Sequence, residues 1–466
     1  MKKTILFLLF WLLVSIPVFP QMDLSAPRNI ILMISDGGGY NQIMATDFFC
    51  DGAAGTQAYE KFPVRMAMST YPAMLSRSAN RWGSGYNPSA YWSDFSYMDS
   101  ASTNSPGAAT AMSTGIKTYN DAIGLGLDGK RLTGIADVAK YFQKSVGVVT
   151  TVPFAHATPA GFVAHAESRE LYSQIAMEMI LDSRIDVIMG CGHPYYDNNG
   201  RKQTRAVTFK YVGDSTIWAQ LQDPERVQFT VNGKIKTLQD IDFDGEPDAW
   251  TLISTPDQFR KLTGENIPKR VLGIPLVHET LQEYRTWDSL KARPWICPMV
   301  NNVPTLKDMS TGALNVLASN PNGFFVMIEG GAIDWANHDK RPERLIEEQT
   351  DFNKAIDAVI DWVNQNSSWN ETLLIITSDH ECGKLWGPGS GGKKFIPVIN
   401  HGKGMMPGMH HYSNMHTNSL VPIFAKGVGS ELFTLFADET DPVRGNFINN
   451  TEIAQLVFLL WGKRTE

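Results

Sequence analysis

Cysteine is scarce in this chain. Four residues, Cys50, Cys191, Cys297 and Cys382, lie far apart with no CxxC pair among them, which excludes a zinc ribbon. An oxidising compartment would permit disulfides, but the spacing dictates no pairing. An excess of basic charge is also missing: 41 Lys and Arg face 48 Asp and Glu, a formal charge of −7, and an acidic chain excludes the nucleic-acid backbone as a general partner. There is no repeat period and no low-complexity tract. Beyond the N-terminus no apolar run is long enough to cross a bilayer, and the VFLLW near the C-terminus reads as a helix face in the core.

The N-terminus itself, MKKTILFLLFWLLVSIPVFPQ, has Lys2-Lys3 followed by an apolar stretch broken by Ser15 and Pro17. It is short and badly flanked for a membrane span and reads as a signal peptide over residues 1–21. A small-x-small cleavage site is lacking, so the cut falls near Pro20 or Gln21, and an uncleaved N-terminal anchor is the competing reading. Loss of the two lysines takes the formal charge from −7 to −9. The expected destination is export, to the periplasm or the exterior.

In residues 22–466, strand-like runs recur at RNIILMISD, SVGVVTTV, IDVIMG, FFVMIEG, TLLIITSD and VPIFAKG, separated by helical patterns such as RPERLIEEQTDFNKAIDAVIDWVNQN. Such alternation predicts an α/β fold with a large, mostly parallel central sheet and helices on both faces. Between about residues 194 and 300 the alternation lapses into mixed polar sequence, expected to be an insertion packed on the core. Within it Asp240, Asp242 and Asp244 alternate, followed by Gly245 and Asp248. The spacing resembles a calcium loop, but Thr251 stands where an EF-hand has its closing Glu, and a solvated acidic turn is an equal reading.

Ligand-type residues gather at strand ends, where an open α/β sheet places its ligands. Asp36 closes the first run and precedes Gly37–Gly39, which permit a tight turn. Glu329 ends a later run, with Asp334 and His338 four apart on the following helix, so one turn points both at a common ion. Asp379 and His380 close TLLIITSDH, and His416 precedes VPIFAKG; His401, His410 and His411 are competing ligands in a Gly/Met-rich loop. Seven hard or borderline ligands on one edge suggest a cluster of divalent metals. Ser105, followed by Pro106 and an Ala-rich stretch, reads as a helix N-cap, where a positive helix end suits a group that binds and attacks an anion. The bland alternative is a capping serine alone. His156 and Thr158 follow a strand, and Arg169, expected on the next helix, can grip two phosphate oxygens at once; His165 is expected to pack.

In this order the pieces resemble the alkaline phosphatase family from Asp36 to Lys426. The resemblance implies a hydrolase of small phosphate monoesters with two zinc ions and one magnesium. Asp334, His338 and His416 would bind the first zinc, Asp36, Asp379 and His380 the second, and Asp36, Thr158 and Glu329 the magnesium. It implies a phosphoserine intermediate, assigns Arg169 to phosphate, and allows a homodimer. Asp99-Ser100 matches the family's dipeptide, whereas Ser105 matches its spacing to Thr110, Ala111 and the Ser-Thr-Gly beyond, and Ser105 is preferred as nucleophile. Three departures follow: Asn104 stands where an aspartate is usual and removes a negative partner of Arg169, His156 stands where some members have aspartate, and Trp335 occupies an often basic position. A phosphodiesterase or sulfatase of the same superfamily is a rival, although no C/S-x-P-x-R stretch is present. A non-catalytic metal- or phosphate-binding protein is the rival from another class.

Overall fold

The computed structural model describes residues 26–264, 266–288 and 292–462. The expected signal peptide lies outside them. Eleven strands form the central sheet: β1 (Asn29–Ser35), β2 (Val64–Ser69), β3 (Ser145–Pro153), β4 (Val187–Cys191), β5 (Thr251–Ile253), β6 (Val271–Gly273), β7 (Phe324–Gly330), β8 (Thr372–Thr377), β9 (Val421–Gly427), β10 (Glu439–Asp441) and β11 (Gly445–Asn449). Their order across the sheet is β10-β11-β2-β9-β8-β1-β7-β3-β4-β6-β5. Pairing is parallel from β8 through to β5, while β9 runs antiparallel to both β8 and β2.

Both faces of β1 are buried, which explains why it reads as one continuous apolar run instead of an alternating one. Ile30, Leu32 and Ile34 pack with residues of α2 (Ser105–Thr114), α3 (Ile135–Tyr141), α4 (Ala157–Val163) and α9 (Glu452–Leu460). Ile31 and Met33 turn the other way, towards α6 (Leu306–Leu317), α7 (Ala332–His338) and α8 (Pro342–Asn366). The long α8 starts with proline in its first turn and buries Leu345, Phe352, Ile356, Val359 and Val363 along one stripe, as its 3.6-residue pattern requires. Two further helices matter below: α1 (Tyr40–Asp51), after the first glycine turn, and α5 (Tyr172–Met177).

The segment expected as an insertion is not wholly separate from the sheet. It contains a hairpin, Gln228–Val231 with Lys234–Thr237, but also β5 and β6, which extend the parallel sheet beyond β4. Each of these two strands has three residues, too few for a periodic pattern to stand out. The three-residue β10 was hidden for the same reason. All four cysteines are free.

Leu32 lies at the centre of this sheet with no exposed surface. Leu32→Ala should lower the unfolding free energy by about 2–5 kcal/mol, read as an earlier denaturant midpoint with an unchanged slope; a shift below about 0.5 kcal/mol would show that the site collapses around the smaller side chain.

Candidate active site

Asp36, Glu329 and the Asp379-His380 pair sit side by side because β1, β7 and β8 are neighbours in register: Ile34 pairs with Glu329 on one side and with Thr377 on the other. Glu329 pairs in turn with Thr150 of β3, and the Thr150 hydroxyl donates to the Glu329 carboxylate in a short hydrogen bond. After Asp36 the chain turns through Gly37 at φ +68°, where a Cβ would lie 2.8 Å from Asp334 Oδ1. Only glycine lets this backbone come so close to α7. The Gly37 amide donates to Asp379 Oδ1 at 3.2 Å, fixing that carboxylate.

Two groups of metal-type ligand atoms result. Asp36, Asp334 and His380 form one; Asp334, His338, His416 and Cys382 form the other, and within each group the ligand atoms lie within 4.8 Å of one another. His380 Nε2 is 3.0 Å from Asp379 Oδ2 and 3.7 Å from Asp36 Oδ1. Asp334 reaches His338 Nε2 at 3.1 Å and His416 Nε2 at 3.4 Å, the first contact being the expected one-turn spacing on α7. His416 arrives through a two-residue ladder in which Cys382 pairs with His416. Cys382 was not anticipated as a neighbour of these ligands, although it follows them directly in SDHEC. His401, His410 and His411 belong to neither group; His401 and His411 bond instead to Met406 O and Asn337 Oδ1.

The charge in this cluster is unbalanced. Asp36 Oδ1, Glu329 Oε1, Asp334 Oδ1 and Asp379 Oδ2 are all buried without a hydrogen-bond partner. Burial, then the Asp379, Asp334 and Glu329 carboxylates, push Asp36 well above the ordinary carboxylate range. Burial also raises Glu329 to about 7, against the hydrogen bonds from Thr150 and Thr158. Burial works to raise Asp334 too, but His338 and His416 hold it well below its usual value, and His338 is correspondingly raised to about 9. Orphaned buried carboxylate oxygens with imidazole nitrogens beside them have the chemistry of a divalent-cation site, so the donor set fits the expected metals.

Ser105 faces this cluster, with Oγ 3.3 Å from His380 Nε2. It is not the N-cap, however. That position belongs to Asn104, whose Oδ1 accepts from the Gly107 amide at 3.4 Å, leaving Ser105 as the first residue of α2. Because the neighbour caps the helix, the serine hydroxyl is free to point away from it. Ser100 ends a short 3-10 turn and donates to Tyr97 O at 2.6 Å, while Asp99 pairs with Lys384.

Arg169 lies in the turn between α4 and α5 and not on a helix. Its Nη2 donates to His156 Nδ1 at 3.1 Å. Burial and the Arg169 charge hold His156 well below the usual histidine pKa, so the ring is neutral with its proton on Nε2. Trp335 packs 5.2 Å from His156 and 4.9 Å from Tyr284. Asn104 turns to Asp121, donating to Oδ1 at 2.7 Å. His165 pairs with Glu178 at 2.9 Å.

In the acidic loop, Asp240, Asp242 and Asp248 bring carboxylate oxygens together but Asp244 is not among them. The Lys269 ammonium sits 2.5 Å from Asp242, 3.2 Å from Asp244 and 3.9 Å from Asp248. A lysine thus supplies the positive charge there, and a calcium ion would have to displace it.

Comparison with known proteins matches residues 27–403 to the family described as alkaline phosphatase. Alkaline phosphatase 4 of Bacillus subtilis is 26% identical over 501 aligned positions, covering 94% of this chain and 89% of that protein. The alkaline phosphatase of Escherichia coli is 26% identical over 89% of this chain and 84% of its own. Among solved structures, that of alkaline phosphatase from the Antarctic bacterium TAB5 superposes with a TM-score of 0.61 at 24% identity, covering 94% of this chain and 100% of that one.

The raised Glu329 has a consequence for stability. The folded protein without metal holds a proton there that the unfolded chain releases between 4.5 and about 7. This group's contribution is therefore complete below the unfolded pKa and is lost as pH rises through the folded one. In chelator, the unfolding midpoint of Glu329→Gln should decline less between about pH 4.5 and 7 than that of the parent, by a difference worth a few kcal/mol. Parallel profiles would mean that Glu329 is already ionised in the metal-free fold.

Proposed function

The chain belongs to the alkaline phosphatase family of phosphoric monoester hydrolases, and we propose that it works through a phosphoserine on Ser105 at a site for two zinc ions and one magnesium. The observation that carries this reading is the meeting of Ser105 with eight ligand-type groups from distant parts of the chain, in which four buried carboxylate oxygens lack a hydrogen-bond partner. Asp334, His338 and His416 would hold the first zinc, Asp36, Asp379 and His380 the second, and Asp36, Glu329 and Thr158 the magnesium. When bound, these ions supply positive charge for the entering and leaving oxygens and favour ionised hydroxyl and water at neutral pH.

The chain's own residues do the rest. Ser105 stands at the start of a ten-residue helix, whose positive end favours a phosphate beside it. The Arg169 guanidinium presents a planar fork to two non-bridging phosphate oxygens and sets the phosphorus in line with Ser105. Ser105 Oγ forms its bond to phosphorus as the bond to the alcohol oxygen breaks, and the alcohol departs with a proton. Water then attacks phosphorus from the vacated side, the Oγ–P bond breaks, and Ser105 regains a proton. A doubly charged monoester suits Arg169 and the cluster better than a diester, which carries one negative charge.

Export is part of the same proposal and rests on the N-terminal residues of the sequence. Among the described residues no helix is long and apolar enough to cross a membrane. The acidic loop at Asp240–Asp248 plays no part in the reaction.

Elemental analysis of the purified protein should find about two zinc and one magnesium per chain. Chelation should abolish turnover of p-nitrophenyl phosphate, zinc with magnesium should restore it, and bis-p-nitrophenyl phosphate should be the poorer substrate. Full activity in verified metal-free protein, or a preference for the diester, overturns the reading.

Ser105→Ala should remove the phosphoenzyme trapped by acid quench and cut turnover by about 1,000-fold or more, whereas Ser100→Ala should have little effect. Phosphate located on Ser100 by mass spectrometry would move the nucleophile.

A further inference from the structure

Arg169 makes no ion pair among the described residues, and its restraint comes from an unexpected direction. Asn104 is committed to Asp121, so nothing acidic from the nucleophile's helix reaches the guanidinium. On the other side, the His156 ring that accepts from Arg169 is stacked on Tyr172, with centroids 5.7 Å apart and planes at 22°. Tyr172 Oη lies 3.5 Å from His156 Nε2. Because a guanidinium can only donate, His156 Nδ1 accepts from Arg169 and the ring's Nε2 proton faces the tyrosine oxygen. Burial raises the Tyr172 phenol, and the nearby Arg169 charge opposes that rise. Tyr172 thus backs the same His156 ring that accepts from Arg169.

Tyr172 is held in turn by the segment expected as an insertion. The short turn Lys210–Val212 packs against α5. Its Tyr211 meets the Tyr172 ring edge-on at 5.3 Å, and the Lys210 ammonium lies 5.0 Å from the centre of the Tyr172 ring and 4.6 Å from that of Tyr211. Lys210 makes no ion pair among the described residues. The nearby Glu279 is engaged by the Tyr211 hydroxyl and by Asn198. A cation over two aromatic faces is attracted to both rings, and it pins Tyr172 from the side of the cleft lined by Leu171, Tyr172, Lys210 and Asn232.

We propose that Tyr172 is a positioning residue that orients Arg169 for phosphate in place of a carboxylate, and that Lys210 and Tyr211 lock Tyr172 in the orientation this requires. The inference rests on the reading of Arg169 as the phosphate-gripping residue. A neutral clamp restrains the guanidinium without spending its charge on a competing anion. The full positive charge remains available to substrate, and less side-chain freedom is lost when substrate binds.

Tyr172→Phe keeps the ring, the stacking and the cation contact and removes only the hydroxyl. It should raise KM for p-nitrophenyl phosphate and the inhibition constant of inorganic phosphate together, by about 3- to 10-fold, with kcat within about 2-fold and metal content unchanged. Lys210→Met should give a smaller rise of the same kind. In an Arg169→Lys background, which alone should weaken phosphate inhibition, the Tyr172→Phe effect should disappear, because the tyrosine acts through the arginine. If Arg169→Lys leaves phosphate inhibition unaltered, the role of Arg169 fails and this inference with it. If Arg169→Lys weakens inhibition while Tyr172→Phe and Lys210→Met leave both constants at the parent values, or if the two effects at 169 and 172 simply add, the clamp alone is overturned.

Discussion

Four carboxylates share one dry edge of a sheet: Asp36, Glu329, Asp334 and Asp379 are each at most 5% exposed. Their mutual repulsion, added to the cost of burying charge, is the constraint on which the rest of the site depends. Imidazoles offset part of it, as the lowered Asp334 and raised His338 indicate, but the orphaned oxygens remain. In the proposed reading divalent ions complete the balance, and affinity for them grows out of the same repulsion.

Such an arrangement needs a rigid frame, because carboxylates that could swing into water would do so. The frame is the central sheet, buried on both faces, with β8, β1, β7 and β3 in parallel register so that their carboxyl ends form one ledge. Short connections then drop helices behind the ledge. Gly37 admits α7 close enough for Asp334 to serve both ligand groups, and α2 presents Ser105 at its first position because Asn104 takes over the capping. Arg169, the proposed phosphate-gripping residue, is outside this frame, on a turn. Its support comes from aromatic side chains and from a part of the chain that contributes little else to the site.

Much of this was legible in the sequence. Continuous apolar runs ending in Asp36, Glu329 and Asp379 marked buried parallel strands, because a strand covered on both faces has no polar side to alternate with. The pairing of Asp334 with His338 followed from helical spacing alone. What escaped notice was short or distant. β5 and β6 are three residues each, the Asn104 cap differs from the expected Ser105 cap by one position, and the turn carrying Arg169 follows a helix that ends earlier than its composition suggests.

The sequence by itself determined the fold class, the ligand-type residues at strand ends, the scarcity of cysteine and the family resemblance, since all of these are written in local pattern and order along the chain. Only the tertiary structure decided which ligands share a group, that Cys382 stands among them, that Lys269 occupies the acidic loop, and that Tyr172 and Lys210 stand behind Arg169. Most of those contacts join residues tens to hundreds of positions apart, and their geometry is set by sheet register and helix packing, which no local pattern encodes.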